Sequence, residues 1–275
     1  MTVKRWGAGP ELEVIDKGPR SESGRPPLLF VHGAWHGAWC WDEHFLDFFA
    51  ARGYRALAVS LRGHGQSPAP KPLRFCSIAD LVDDVAAVAD GLPRRPVVIG
   101  HSMGGFVVQK YLETQDAPGA ALLASVPPSG IARFLLRRFT RHPWRTTRAL
   151  AQGKSLDFIG GTAELTRESF FSERAPGEDV ERCLARLGEE YVGKHVLDML
   201  FLDLPRPRTV RAPLCVLGAE HDTCFTQDEV RATATAYHVE AEIFPSMGHD
   251  MMLEPAWAAV AERIQGWLES CCAAV

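Results

Sequence analysis

Gly100-His101-Ser102-Met103-Gly104-Gly105 follows the short apolar run Pro96-Val97-Val98-Ile99 and precedes a helical pattern from Phe106 to Glu113. The pattern reads as a strand, a sharp turn and a helix, with a serine at the turn. Projecting the Ser102 hydroxyl requires a strained backbone there, and Gly100 and Gly104 lack the side chains that would collide with it. Ser102 is therefore the candidate nucleophile. A G-x-S-x-G string arises by chance often enough to be weak alone, so its surroundings decide.

Upstream, His32-Gly33-Ala34 ends a second apolar run, Leu28-Leu29-Phe30-Val31. Downstream, Asp222 follows Pro213-Leu214-Cys215-Val216-Leu217-Gly218-Ala219-Glu220-His221, and His249 follows Gly248 just past Glu242-Ile243-Phe244. Both stand at the ends of expected strands, in the order Ser, Asp, His. A serine hydroxyl is a poor nucleophile near neutral pH, and His249 is the base that takes its proton.

With Trp39 and Trp41, Arg62-Gly63-His64-Gly65-Gln66-Ser67 and Leu253-Glu254-Pro255 added, the chain resembles the α/β-hydrolase superfamily over nearly its whole length. The resemblance implies an α/β fold: a mostly parallel central sheet flanked by helices, with a helical cap insertion, as in serine esterases and lipases. It assigns the acid to Asp222 and leaves Glu220 a structural contact. Asp222 then orients His249 and stabilises its imidazolium. The backbone N–H groups of Ala34 and Met103 form the oxyanion hole. Trp35 and His36 are the expected substrate contacts at the pocket mouth, while His32, His64 and His101 hold loops in place. Trp39 and Trp41 pack the first helix on the sheet.

At 275 residues the chain fits one α/β domain with an insertion. A 46% hydrophobic and 23% charged composition, with a net charge of −4, suits a globular protein and gives no sign of a nucleic-acid partner. No signal-peptide core follows the basic N-terminus, so a cytoplasmic protein without a transmembrane segment is expected. Cysteines at 40, 76, 183, 215, 224, 271 and 272 form no C-x-x-C pair and no metal-ligand spacing. Neither metal nor cofactor is expected; the partner is a small acyl substrate, and the protein a monomer or homodimer.

One or two short strands are expected before residue 26, including Glu11 to Asp16, then a polar turn over Ser21 to Pro26. A helix follows from Cys40 to Arg52, a strand over Tyr54 to Val59, and a helix over Ser77 to Leu92, capped by Ser77, with Asp80, Asp83 and Asp84 facing solvent. Strands alternating with helices imply a mainly parallel sheet covered on both faces. The alternation stops between about Ser129 and Arg208. The core is thus 1–128 and 209–275, and 129–208 is the cap, closed by two further strands and helices after it.

Arg133 to Lys154 holds seven basic residues and no acidic one, interleaved with Leu135, Leu136, Phe139, Trp144 and Leu150. One reading is a surface for anionic amphiphiles or an anionic membrane. The plainer one, which is preferred, is a solvated helix balanced by Glu178, Asp179 and Glu181. Phe158, Phe170, Phe171, Met199, Leu200, Phe201 and Leu202 line an acyl pocket or form the cap's own core.

The leading function is a cofactor-free serine hydrolase cleaving a carboxylic ester, or a thioester or lactone, of a small hydrophobic substrate through an acyl-serine. Alternatives on the same residues are a hydroxynitrile lyase-like or cofactor-free haloperoxidase-like enzyme, or a non-catalytic small-molecule receptor. The loop His32 to Trp41 resembles that of plant methyl-ester esterases and their lyase relatives, but those lyases carry a lysine where Asp250-Met251-Met252 follows His249.

Overall fold

The structure is a computed structural model that describes residues 2–6, 9, 11–19 and 24–271. Residues 21–23 of the expected turn at Ser21 to Pro26, Cys272 and the Phe158 side chain lie outside the described residues. The strands are β1 (Thr2–Arg5), β2 (Glu11–Lys17), β3 (Leu28–Val31), β4 (Ala56–Val59), β5 (Val97–His101), β6 (Ala120–Leu123), β7 (Leu214–Ala219) and β8 (Ala241–Phe244). They form one sheet in the order β1-β2-β4-β3-β5-β6-β7-β8. β1 pairs antiparallel with β2, and β2 with β4; every later pairing is parallel.

Parallel strands covered on both faces have no wet side, and so β3, β4, β5, β6 and β7 are buried at every position. The chain winds outward from β3 to β4 in one direction and returns to start β5 on the other side. The loops leaving β3 and β5 therefore diverge at their carboxyl ends, which opens a crevice where open α/β sheets bind ligands. Ala34 and Ser102 lie in these two loops, and Asp222 and His249 lie just past β7 and β8.

The first expected helix is two: α1 (Trp39–Asp42) and α2 (Phe45–Ala51). The chain leaves helical geometry at His44 (φ −144°, ψ −51°), whose ring lies flat on Trp257 at 4.6 Å between centroids. Trp41 packs against Phe30 of β3 at 5.0 Å, as expected of a helix laid on the sheet. α3 (Ile78–Asp90) has Ser77 as N-cap: its Oγ accepts from the Asp80 N–H and its own N–H donates to Asp80 Oδ2. The expectation that its three aspartates face water fails at Asp84, which is fully buried and takes the Arg62 backbone N–H and guanidinium at 2.6–3.0 Å. A helix period locates an inward position but not the arginine that makes a charge tolerable there.

α4 (Met103–Tyr111) follows β5. Between β6 and β7 the chain forms α5 (Ala132–Arg141), α6 (Pro143–Gln152), α7 (Leu156–Ile159), α8 (Ala163–Phe170), α9 (Gly177–Leu184), α10 (Lys194–Leu197) and a wide π turn, Asp198–Leu202. α11 (Gln227–Ala236) and α12 (Trp257–Cys271) complete the layers. Within the 129–208 segment Phe170, Phe171 and Met199 are buried, whereas Phe201 and Leu202 are exposed and belong to neither a pocket wall nor an interior. The acids that meet the arginines of α5 are also not those expected: Glu168 of α8 takes Arg138, Arg141 and His142, and Glu229 of α11 takes Arg137.

Candidate active site

Ser102 has φ 52° and ψ −119°, a conformation that costs a non-glycine residue energy and is held by its surroundings. Its N–H donates to the Leu123 carbonyl at 3.1 Å, and its carbonyl accepts from Phe106 and Val126. A Cβ on Gly100 would come within 2.5 Å of the Gly104 carbonyl oxygen, and one on Gly104 would strike the His32 carbonyl. The elbow is thus closed by backbone on both sides. Met103, first residue of α4, and Ala34, in the loop after β3, border the same cavity as Ser102. No hydrogen bond takes up either N–H among the described residues.

Asp222 and His249, from the loops after β7 and β8, are brought together: His249 Nδ1–H donates to Asp222 Oδ2 at 2.9 Å. The other carboxylate oxygen accepts the N–H groups of Cys224 at 2.7 Å and Phe225 at 3.0 Å, which fixes the plane of the carboxylate. Burial alone would lower the His249 pKa, but the charge and hydrogen bond of Asp222, with the charge of Asp250, outweigh it and raise the pKa. His249 is tied to the elbow through its carbonyl, which accepts from His101 Nε2–H at 3.0 Å, the two rings lying 4.6 Å apart. Burial and the nearby His249 pull His101 down to about 3, so its ring is neutral and Nε2 carries its one proton. The Ser102 hydroxyl makes no hydrogen bond among the described residues, so the Ser–His half of the relay is open in this structure.

His36 is a correction. It does not border the cavity; it is buried behind Trp35, with Nε2 on Asp250 Oδ2 at 3.0 Å and Nδ1 on the Ala34 carbonyl at 2.8 Å. Both ring nitrogens lie within hydrogen-bond distance of an oxygen, which clamps the ring between the two loops. Asp250, also fully buried, has its carboxyl held below the ordinary range: burial would raise it, but His36 prevails. This pair links the Ala34 loop to the His249 loop. The sequence signal was only a charged residue beside the candidate base. The Leu253-Glu254-Pro255 motif does not by itself assign Glu254 a role; its carboxylate accepts the N–H groups of Ser172 and Gly248 and the Ser172 hydroxyl, pinning the His249 loop to the 129–208 segment.

Trp35 does border the cavity, in a left-handed conformation (φ 65°). Its carbonyl accepts from Gly188 N–H at 2.7 Å and its indole N–H donates to Ser155 Oγ at 3.0 Å. The cavity, about 320 Å³, runs from Ser102 and Met103 between Ile131, Phe134, Leu135, Met199 and Phe225, and its walls are almost wholly apolar. At its edge His64, Glu190 and His195 form a second buried ionic group, with Glu190 oxygens 2.8 Å from His64 Nε2 and 3.1 Å from His195 Nε2. Burial opposes charge on both His64 and Glu190, yet their pairing raises the histidine and lowers the glutamate.

Among the described residues three sets of donor atoms lie within 4.8 Å of one another: His36, Cys183, Asp250; His101, His249, Asp250; and Asp222, Cys224, His249. In each the carboxylate already accepts an N–H from a histidine, and burial pushes the Cys183 and Cys224 thiols well above their ordinary value. These sets suit hydrogen-bonded relays better than cation binding, which needs deprotonated ligands.

A family model described as "Alpha/beta hydrolase family" matches residues 28–263. Among curated proteins, a "Non-heme chloroperoxidase" of Streptomyces lividans is 39% identical over 125 residues, 44% of this chain and 43% of that protein. "Probable esterase PIR7A" of Oryza sativa subsp. indica is 38% identical over 116 residues, 40% of this chain and 43% of that protein. The match thus spans less than half the length of these relatives. Among solved structures, a thermophilic esterase from Thermogutta terrifontis superposes with a TM-score of 0.74 at 22% identity, covering 95% of this chain and 94% of the other. The described helices include none long and apolar enough to cross a membrane.

Proposed function

The chain belongs to the alpha/beta hydrolase family, and from that premise we propose that it is a serine hydrolase cleaving carboxylic esters of small hydrophobic substrates. Ser102 Oγ attacks the ester carbonyl while His249 Nε2 takes its proton, and the proton then goes to the departing alkoxide. Water, deprotonated by the same nitrogen, releases the acid and restores Ser102. Asp222 holds the ring so that Nε2 faces the reaction and stabilises the imidazolium. The N–H groups of Ala34 and Met103 receive the negative charge on the former carbonyl oxygen, an interaction whose loss typically costs about a hundredfold in rate.

The observation that carries this reading is the Asp222–His249 hydrogen bond on a loop bonded through His101 to the strained serine elbow. The open Ser102–His249 contact agrees with it, because catalytic hydrogen bonds often tighten only once substrate is bound. The apolar cavity next to Ser102 supports a hydrophobic acyl or alcohol group, and the 129–208 segment acts as its lid. A fluorophosphonate should label Ser102 in the folded protein, and p-nitrophenyl esters of graded chain length should be turned over by the wild type but not by Ser102→Ala. Absence of both labelling and turnover would refute the proposal.

The chloroperoxidase relatives favour one second reading: hydrogen peroxide instead of water attacks the acyl-serine, giving a peracid and free Ser102. Peroxide-dependent oxidation of halide, requiring a carboxylic acid or ester and lost in Ser102→Ala, would distinguish it.

A further inference from the structure

Large apolar side chains normally turn inward unless something other than water covers them. Among the described residues eight large apolar side chains are exposed, and seven of them, Leu136, Phe139, Trp144, Leu150, Leu197, Phe201 and Leu202, fall within 129–208; the eighth is Phe75. Four of them are on α5 and α6: Leu136 is 63%, Phe139 47%, Trp144 86% and Leu150 57% exposed. Leu136, Phe139 and Leu150 also border the apolar cavity. A side chain that is at once cavity wall and outer surface marks an opening, so the cavity mouth lies between these two helices.

The same helices carry Arg133, Arg137, Arg138, Arg141, Arg145 and Arg148 without an acidic residue. Arg137 and Arg138 turn inward to Glu229 and Glu168, and Arg141 shares Glu168. Two acids against six arginines leave an excess of positive charge, and Arg133 and Arg148 stand exposed on these helices. Exposed aromatic and aliphatic groups amid arginines match the boundary of an anionic bilayer, where headgroups meet the cations and acyl chains the apolar side chains.

We propose that the outer face of α5 and α6 docks this protein on an anionic lipid surface, with the cavity mouth against the bilayer. A hydrophobic substrate dissolved in that surface then enters the cavity without crossing water. A second copy of the chain fits the face less well, since a twofold contact would set arginines against arginines.

The proposal extends the hydrolase reading to the source of its substrate, but its test does not depend on turnover. Ser102→Ala protein is floated with phosphatidylcholine vesicles and with phosphatidylcholine vesicles containing phosphatidylglycerol. Binding should be confined to the anionic vesicles and weaken as salt is raised. Arg133→Ala with Arg148→Ala should weaken partition on the order of thirtyfold, and Trp144→Ala on the order of tenfold. With Ser102 intact, these variants should hydrolyse a soluble short-chain ester at the wild-type rate, a control that also reports correct folding. Failure to float with anionic vesicles, or equal binding to neutral ones, overturns the proposal. So does concentration-dependent dimerisation that Trp144→Ala abolishes without any vesicle binding.

Discussion

Asp222 uses each oxygen differently: one is fixed by two backbone N–H groups, the other by His249. Asp222→Asn preserves the shape but offers the imidazole an amide, and kcat is expected to drop by roughly four orders of magnitude with little change in the urea midpoint. The pH profile provides an independent check. His249 is a base only when neutral, and its pKa is raised, so kcat/KM should fall as pH drops through a value above the ordinary histidine value of about 6.5. Asp222→Asn removes the principal raising charge, burial then dominates, and the acidic limb should move to lower pH. Asp250 acts at one remove, as a positioning residue. Asp250→Ala removes the partner of His36 Nε2 and the tie between the two loops, and chemical denaturation should register a loss of about 1–3 kcal/mol.

Among the elements, α5 to α10 are held to the sheet by contacts that are polar as well as apolar, and His64–Glu190–His195 is a buried example. Glu190 has a lowered pKa in the fold, so its stabilisation is present above its unfolded value of about 4.3 and is lost as pH falls through the folded one. His64 has a raised pKa, so its stabilisation is full below about 6.5 and is lost as pH rises through the folded value. The latch is strongest between these limits. Glu190→Ala should lower Tm by the equivalent of about 3 kcal/mol and flatten its dependence on pH on both sides, as thermal melts across the range would show. None of this is legible from sequence. Continuous apolar runs such as Leu28–Val31 announce buried parallel strands, and glycines around Ser102 announce an elbow, because both are local consequences of burial and sterics. His64 reads from sequence as a loop-holding residue, but its partner Glu190 is 126 positions away and carries no signal of its own. Glu13 is similar: it alternates in β2 as though solvent-facing, yet is buried and accepts from Ser60 Oγ–H and the Gln66 N–H. Only the folded chain supplies the partner that makes a buried charge affordable.

At the scale of the whole molecule, the order of strands places four separated loops at the carboxyl edge of one sheet, and this much the motifs foretold in their order along the chain. Cys40, Cys76, Cys183, Cys215 and Cys224 are buried and form no disulfide. Cys224 borders the cavity, but burial and the nearby Asp222 hold its thiol protonated. Iodoacetamide at neutral pH should therefore leave ester hydrolysis intact, and peptide mapping should find no adduct at Cys224.

The hydrogen bonds that Trp35 receives from Gly188 and gives to Ser155 have a consequence for anyone recombining this scaffold. The tryptophan follows Ala34 directly, so the position of the N–H proposed as an oxyanion donor is set partly by the 129–208 segment. A chimaera that keeps 1–128 and 209–275 but imports a foreign 129–208 would cut both tethers at once. Transplanting residues 34–37 together with the foreign segment is the smallest graft that keeps both sides of that contact from one parent.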